Sequence, residues 1–248
     1  MKWFRARVVL LLALILSVGS TIASAKEKEP QGGQVDSGSF GVFMKGRRVG
    51  TETFSIAQNG NGSVIRSEFK AEGSAGEAVQ SSEMQLTPGG EIRRYEWKET
   101  SPEKGESTIL PNDDFLTQKW TSGPQAKPQE QPYLLPASTS ILDDYFFIHR
   151  EVLAWKYLAS ICSQKDGQMA CMGKQRAKFG TLNPHQHSSE PASMEYLGRE
   201  KIPIHGVDQE LNKLELKGEA GTWNLWLDDH FKLLRILISS EDTEVVRD

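Results

Sequence analysis

Short alternating segments joined by turn-forming residues recur from Phe40 to Ser239. This succession of hairpins constrains the chain more than any other feature. In "SFGVFMKGRRVGTETFSI", Phe40, Val42 and Met44 alternate, Gly46 marks a turn, and Val49 to Ile56 returns. The turn "NGNG", residues 59–62, is a strong hairpin signal, because Asn and Gly tolerate the positive φ of a tight turn. It leads into 63–71. Segments 79–87 and 91–100 flank "PGG"; Met84 and Leu86 share one face, as do Tyr95 and Trp97 on the return. Shorter strands are expected at 107–110 and 115–120. Beyond residue 168 the pattern resumes at 169–181, 193–197 and 206–216, then in "GTWNLWLDD" and "FKLLRILIS", with 243–247 as an edge strand. No βαβ rhythm interrupts it. The fold class is therefore mainly β: a curved antiparallel sheet, a half-barrel of eight or more strands.

One segment breaks the rhythm. Residues 140–162, "SILDDYFFIHREVLAWKYLASIC", carry Ile141, Tyr145, Ile148, Val152, Trp155 and Ala159 on one helical stripe. Leu142, Phe146, Leu153, Leu158 and Ile161 widen that stripe beyond an ordinary amphipathic arc, so the helix needs cover on more than one side. A sheet curled around it supplies this. Ser140 with Asp143 reads as a capping box, and Asp143 and Asp144 suit the positive end of the helix dipole. Residues 121–139, containing "TSGPQAKPQEQP", read as a proline-rich connecting loop.

The first 25 residues place Lys2, Arg5 and Arg7 before an apolar run and end in Ala23-Ser24-Ala25, the pattern of an export signal. The run is short for a bilayer span, so no transmembrane anchor is expected in the mature chain. Residues 26–36 read as a flexible lead-in and 37–248 as a single β-rich domain, large enough to fold without staples. Taking the three basic leader residues from 29 leaves 26 Lys and Arg against 33 Asp and Glu. That acidic balance, without a basic cluster, excludes a nucleic-acid partner. Cys162 and Cys171 are expected to bridge in an oxidising compartment and stabilise by about 2.5 kcal/mol, tying the helix end to the next strand; the alternatives are two free buried thiols or a redox pair, which usually has a two-residue spacing.

The leader, the long hairpins, the single midway helix and the terminal "W-x-L-W-L-D-D … F-K-L-L-R-I-L-I" together resemble the curved β half-barrels of exported bacterial proteins. These include the lipoprotein localisation factors and the periplasmic anti-sigma-factor regulator RseB. The opening "G-V-F-M-K-G-R-R-V-G-T-E-T-F-S-I" is similar to the first hairpin of uncharacterised exported families of that kind. The resemblance implies a helix held against the concave face, where an acyl chain or apolar partner binds, and it brings no catalytic residues. No lipid-anchor cysteine follows the leader.

Catalytic signatures are absent from the sequence: no G-x-S-x-G, H-E-x-x-H, P-loop or dinucleotide fingerprint. His185 and His187 in "NPHQH", with His149 or an acid, have the residue types of a zinc site, but their loop is polar and solvated histidines suit it as well, so no metal or cofactor is assigned. The paired acids in "LDDY" and "LDDH" fit a helix start and a turn. What remains is the aromatic load: Tyr145, Phe146, Phe147, Trp155, Trp223 and Trp226 are the candidate lining of an apolar groove. The leading expectation is a non-catalytic exported carrier, periplasmic or extracellular, for a lipid, acyl chain or amphipathic segment. A structural envelope protein binding a lipoprotein or other envelope partner is the alternative, and a metal-dependent hydrolase the third.

Overall fold

The computed structural model describes residues 32–73, 78–165, 168–171, 175–218 and 221–248. The expected leader lies outside the described residues. A first meander runs β1 (Gly33–Met44), β2 (Arg47–Asn59), β3 (Gly62–Ala71), β4 (Val79–Leu86), β5 (Ile92–Ser101), β6 (Glu106–Asn112), β7 (Phe115–Thr121) and β8 (Gln129–Tyr133). Then come β9 (Ser140–Ile141), the helix α1 (Ile148–Ile161), and a small hairpin of β10 (Cys162–Lys165) and β11 (Gln168–Cys171). A second meander follows: β12 (Arg176–Asn183), β13 (Ser188–Ile204), β14 (Val207–Gly218), β15 (Gly221–Leu227), β16 (Leu233–Ile238) and β17 (Thr243–Arg247).

The first and last strands join the two meanders. β17 pairs antiparallel with β1, opposing Val42 to Val245, and the result is one open sheet of fifteen strands with β8 and β9 at its edges. Alternate residues of these strands face the core: Phe40 and Val42, Phe54 and Ile56, Leu214 and Leu216, and Ile236 and Ile238 are all buried. α1 buries Ile148, Leu153, Ala154, Tyr157, Leu158 and Ile161 in the same cluster, leaving only Ala159 and Ser160 exposed. Both meanders touch the helix: Glu52 of β2 binds its first amides, while Tyr157 Oη accepts from Tyr196 N of β13 at 2.7 Å. Beyond it, Gln118 of β7 donates to the Pro184 carbonyl after β12 at 2.7 Å, so the two wings meet. The sheet therefore bends around the helix.

Several expectations need correction. The helix starts at Ile148, not at residue 140. Ser140 and Ile141 pair in parallel with Thr181 and Leu182, and Phe147 caps the helix with no side-chain bond of its own. Asp143 cannot cap because its carboxylate is turned into the core. The expected loop 121–139 contains β8, where Pro132 is tolerated because only one side of an edge strand needs its ladder. Residues 243–247 form a strand, but an internal one between β1 and β16. β1 begins at Gly33, so part of the expected lead-in belongs to the sheet.

A second apolar cluster lies apart from the main core. Ile202, Ile204, Leu211 and Trp226 are buried together, with Leu234, Leu237 and Val246 against them. The long β13–β14 hairpin bends at a bulge between Tyr196 and Gly198, where Gly198 takes φ 104°, and its tip reaches β17 through a 2.6 Å bond from His205 Nε2 to the Arg247 carbonyl.

The turn between β2 and β3 has a strict glycine. Gly62 sits at φ 132°, and a Cβ there would lie 1.9 Å from the Leu86 carbonyl oxygen, whereas one at Gly60 would meet nothing within 4 Å. Gly62→Ala is expected to destabilise the protein by at least about 3 kcal/mol and Gly60→Ala by less than about 1, measured by urea unfolding.

Candidate functional site

The start of α1 is buried among charges, which is where the chain departs most from a plain apolar core. Glu52, Asp143, His149, Arg150 and Glu151 are all at most 3% exposed. Glu52 lies on β2 in phase with Phe54 and Ile56, so its carboxylate points inward. It accepts from Phe147 N at 2.7 Å, Ile148 N at 3.3 Å and Ser67 Oγ at 2.6 Å. A strand thus supplies the helix cap that the local sequence lacks. The first amides of a helix have no intrahelical partner and carry its positive dipole end, so a carboxylate satisfies both needs.

Asp143, just before the helix, receives the Tyr95 hydroxyl and the Tyr145 amide, the latter at 2.9 Å, and lies 3.0 Å from His185 Nε2. The His185 ring packs edge-on to Trp97 at 4.5 Å and to Tyr145 at 4.8 Å, while His187 stacks on Trp120 at 4.1 Å. The two histidines of "NPHQH" therefore lodge against Trp97 and Trp120 of the opposite wing, with Tyr145 from the segment before the helix. Among the described residues no three His, Cys, Asp or Glu side chains are grouped to hold a metal ion.

A second centre fixes the other side of the helix. Arg247 grips Asp36 through two bonds, 3.0 and 2.7 Å, and Lys232 Nζ lies 2.9 Å from the same carboxylate. Glu151 accepts from Leu233 N at 2.8 Å and lies 3.8 Å from Arg247. First strand, helix and last strand meet here.

Burial and charge set the protonation of these groups. Burial pushes Glu52 up to about 7, partly opposed by Ser67 and the two helix amides. Glu151 is pushed to about 9, first by burial and then by the neighbouring Asp36. Burial also works to raise Asp36, but Arg247 and Lys232 outweigh it and hold that carboxyl near 2. Desolvation drives His149 down to about 4, so it is neutral at pH 7. Burial opposes ionisation of Asp143 too, yet the His185 contact holds it below the usual carboxylate range.

The six aromatic residues expected to line one groove divide. Phe146 and Phe147 are buried in the main core, and Trp155 is half-buried against it, donating to the Phe231 carbonyl at 2.6 Å. Trp223 lies 6.4 Å from Phe147, and Tyr145 is partly exposed beside Phe69. Trp226 belongs to the separate cluster on the other face, where it donates to Glu200 at 2.7 Å. Cys162 and Cys171 are bonded, directly opposite each other in the β10–β11 hairpin. In the "LDDH" turn, the Asp228 carboxylate accepts from His230 N and Lys232 N, each at 2.8 Å. Sequence reasoning gave no site role to Glu52, Asp36 or Tyr95. Their signal was parity: Glu52 falls in step with Phe54 and Ile56, and a charge at a core-facing strand position needs a partner.

No family model, curated protein or solved structure matches the chain.

The protonation pattern fixes a pH dependence. Acids whose pKa is raised on folding bind more protons folded than unfolded, so Glu52 and Glu151 lower stability as pH climbs above about 4.5, Glu52 until about 7 and Glu151 until about 9. His149, depressed from 6.5 to about 4, acts oppositely between those values. Above pH 7 the Glu151 effect remains. The melting temperature should fall between pH 7 and 9, by on the order of 2 kcal/mol in stability. Glu151→Gln, whose amide mimics the protonated carboxyl, should flatten that fall in a calorimetric pH series.

Proposed function

We propose that this protein is a non-catalytic binding module of the cell envelope, an exported β half-barrel that meets a protein partner with its outer surface while α1 fills its interior. The observation that carries this reading is one of space. Two cavities beside the helix measure about 20 and 60 Å³, far below the several hundred that a lipid-sized ligand needs. A recess of about 710 Å³ lies instead on the outer face of β2 to β5. Its floor is polar: Thr53, Ser55 and Ser81 alternate with the pairs Arg66–Glu83 and Lys70–Glu68. Such a floor gives up its hydration cheaply only to a partner that replaces the hydrogen bonds, as a lipoprotein's polypeptide or another envelope protein does.

Export is supported by the leader pattern and by the Cys162–Cys171 bond, which persists in oxidising compartments. Among the described residues no helix is long and apolar enough to cross a membrane. The resemblance to the localisation-factor and RseB half-barrels supports the same setting.

A carrier role is the second reading, and a specific observation favours it. α1 has no side-chain cap of its own; its first amides depend on Glu52, a carboxyl near its midpoint at neutral pH. An acyl chain would enter in place of the helix, along the surface that Phe146, Phe147 and Trp155 now cover. At about 0.8 kcal/mol per methylene, a fourteen-carbon chain would offset much of the cost of moving it.

Native mass spectrometry of protein isolated from its own envelope separates the two. The interaction reading expects a stoichiometric protein partner, no bound lipid, and loss of that complex in Ser81→Trp, which obstructs the outer recess. One acyl lipid per chain, or faster fluorescent fatty-acid uptake in Glu52→Ala than in the parent protein, would replace it with the carrier reading.

A further inference from the structure

The 60 Å³ cavity has a more particular chemistry than its size implies. Its walls include Arg150, Asp144, Glu190, Leu142, Ala192 and Trp223, and it reaches the surface at Gln186 and Ser188, both exposed. Arg150 is 3% exposed, and its guanidinium lies over the Trp223 ring, 4.3 Å from the centroid. Every hydrogen bond it makes among the described residues runs through Nη1, to the carbonyls of Asp143 and Phe146. Nε has no partner among the described residues, and none of their carboxylates comes within ion-pair distance of the guanidinium. A buried donor left unpaired costs about 1–3 kcal/mol, so an acceptor arriving at Nε recovers that cost.

We propose that this cavity is a binding subsite for a neutral secondary amide with a small apolar substituent, the acetamido group being the simplest case. The donor at Nε calls for a carbonyl oxygen. An anion is disfavoured, because Asp144 and Glu190 line the same space, so a carboxylate or phosphate would meet like charge at short range. Asp144 instead accepts the amide N–H. Asp144 already takes Asn183 Nδ2 at 2.7 Å and Gln186 Nε2 at 3.3 Å, which fixes it in place and leaves further lone pairs open. Leu142, Ala192 and Trp223 give the methyl an apolar wall. The volume, about 60 Å³, takes on the order of four or five water-sized groups at about 10–15 Å³ each, the size of one planar amide and little more. Two sources present this group: an N-acetylated sugar and the N-acyl end of an acylated polypeptide. The subsite does not depend on whether α1 moves or on which protein meets the outer recess.

The test follows the Arg150 Nε–H signal in ¹⁵N NMR spectra of the purified full chain. N-methylacetamide is expected to shift it saturably, with sodium acetate at least tenfold weaker. N-acetylglucosamine binding tenfold tighter than N-methylacetamide assigns the sugar source, and N-octanoylglycinamide doing so assigns the acyl source. Ser188→Phe, at an exposed rim position, should keep the parent melting temperature and weaken N-methylacetamide at least tenfold. No saturable shift with N-methylacetamide, acetate binding equally well, or undiminished binding in Ser188→Phe would each overturn the assignment.

Discussion

The structure depends on how charges at the start of α1 are taken out of water. Six ionisable side chains, Asp36, Glu52, Asp143, His149, Arg150 and Glu151, are buried at the start of α1 or on the strands facing it, and an isolated buried charge is costly. Four of them avoid that cost by different routes. Asp36 keeps its charge because Arg247 grips it at two points and Lys232 at a third. Glu151 surrenders its charge and holds a proton, since a second anion beside Asp36 would be repelled. Glu52 spends its lone pairs on helix amides, and His149 stays neutral. The helix therefore sits where these bonds put it. Its own N-terminus supplies no side-chain cap, and its hydrocarbon alone would allow it to slide along the concave face.

This bracing explains why an apolar helix inside a curved sheet need not mean an apolar binding cavity. The resemblance to carrier half-barrels invites that picture, in which the helix guards a space. Here the helix fills the space, with tyrosines 95 and 157 and phenylalanines 40 and 146 all essentially without exposure around it. A guest of lipid size would have to break the Glu52 and Glu151 bonds as well as replace hydrocarbon contacts. That double requirement is the physical reason for placing binding on the outer face and at the small amide-sized recess first.

Strand identity was legible because period-2 alternation and turn chemistry are local. "NGNG", "PGG" and "LDDH" mark hairpin turns that the structure contains, with Asp228 locking the last by accepting two amides. The helix start was misread because Ser140 and Asp143 carry a local capping signature that tertiary contacts override: Ile141 is drawn into pairing with Leu182, and Asp143 into the Tyr95 and His185 contacts. Strand 243–247 was taken for an edge because nothing local announces that residue 245 will lie opposite residue 42. Glu52 was readable in part: its parity placed it in the core, but its partners lie ninety-five residues away along the chain. The groove was overextended against a local signal, since Trp223 and Trp226 sit three residues apart and an odd step along a strand puts them on opposite faces.

An open sheet of fifteen strands has two liabilities, exposed edges and a gap between its wings, and one short loop bears on both. The edge at β9 is two residues long and that at β8 is five, with Glu130 and Pro132 in it, so neither offers a long template for a foreign strand. Between them the wings are joined by side chains where a closed barrel would use backbone ladders. Pro184 accepts from Gln118, His185 packs between Trp97 and Tyr145, and His187 lies on Trp120. Because this seam is made of rings and one amide, its strength rests on the shape fit of Trp97 and Trp120 of the first meander, and of Tyr145 just before the helix, to a four-residue turn of the second. The "NPHQH" stretch, which has the residue types of a metal site, finds in that fit a sufficient structural reason for both of its histidines.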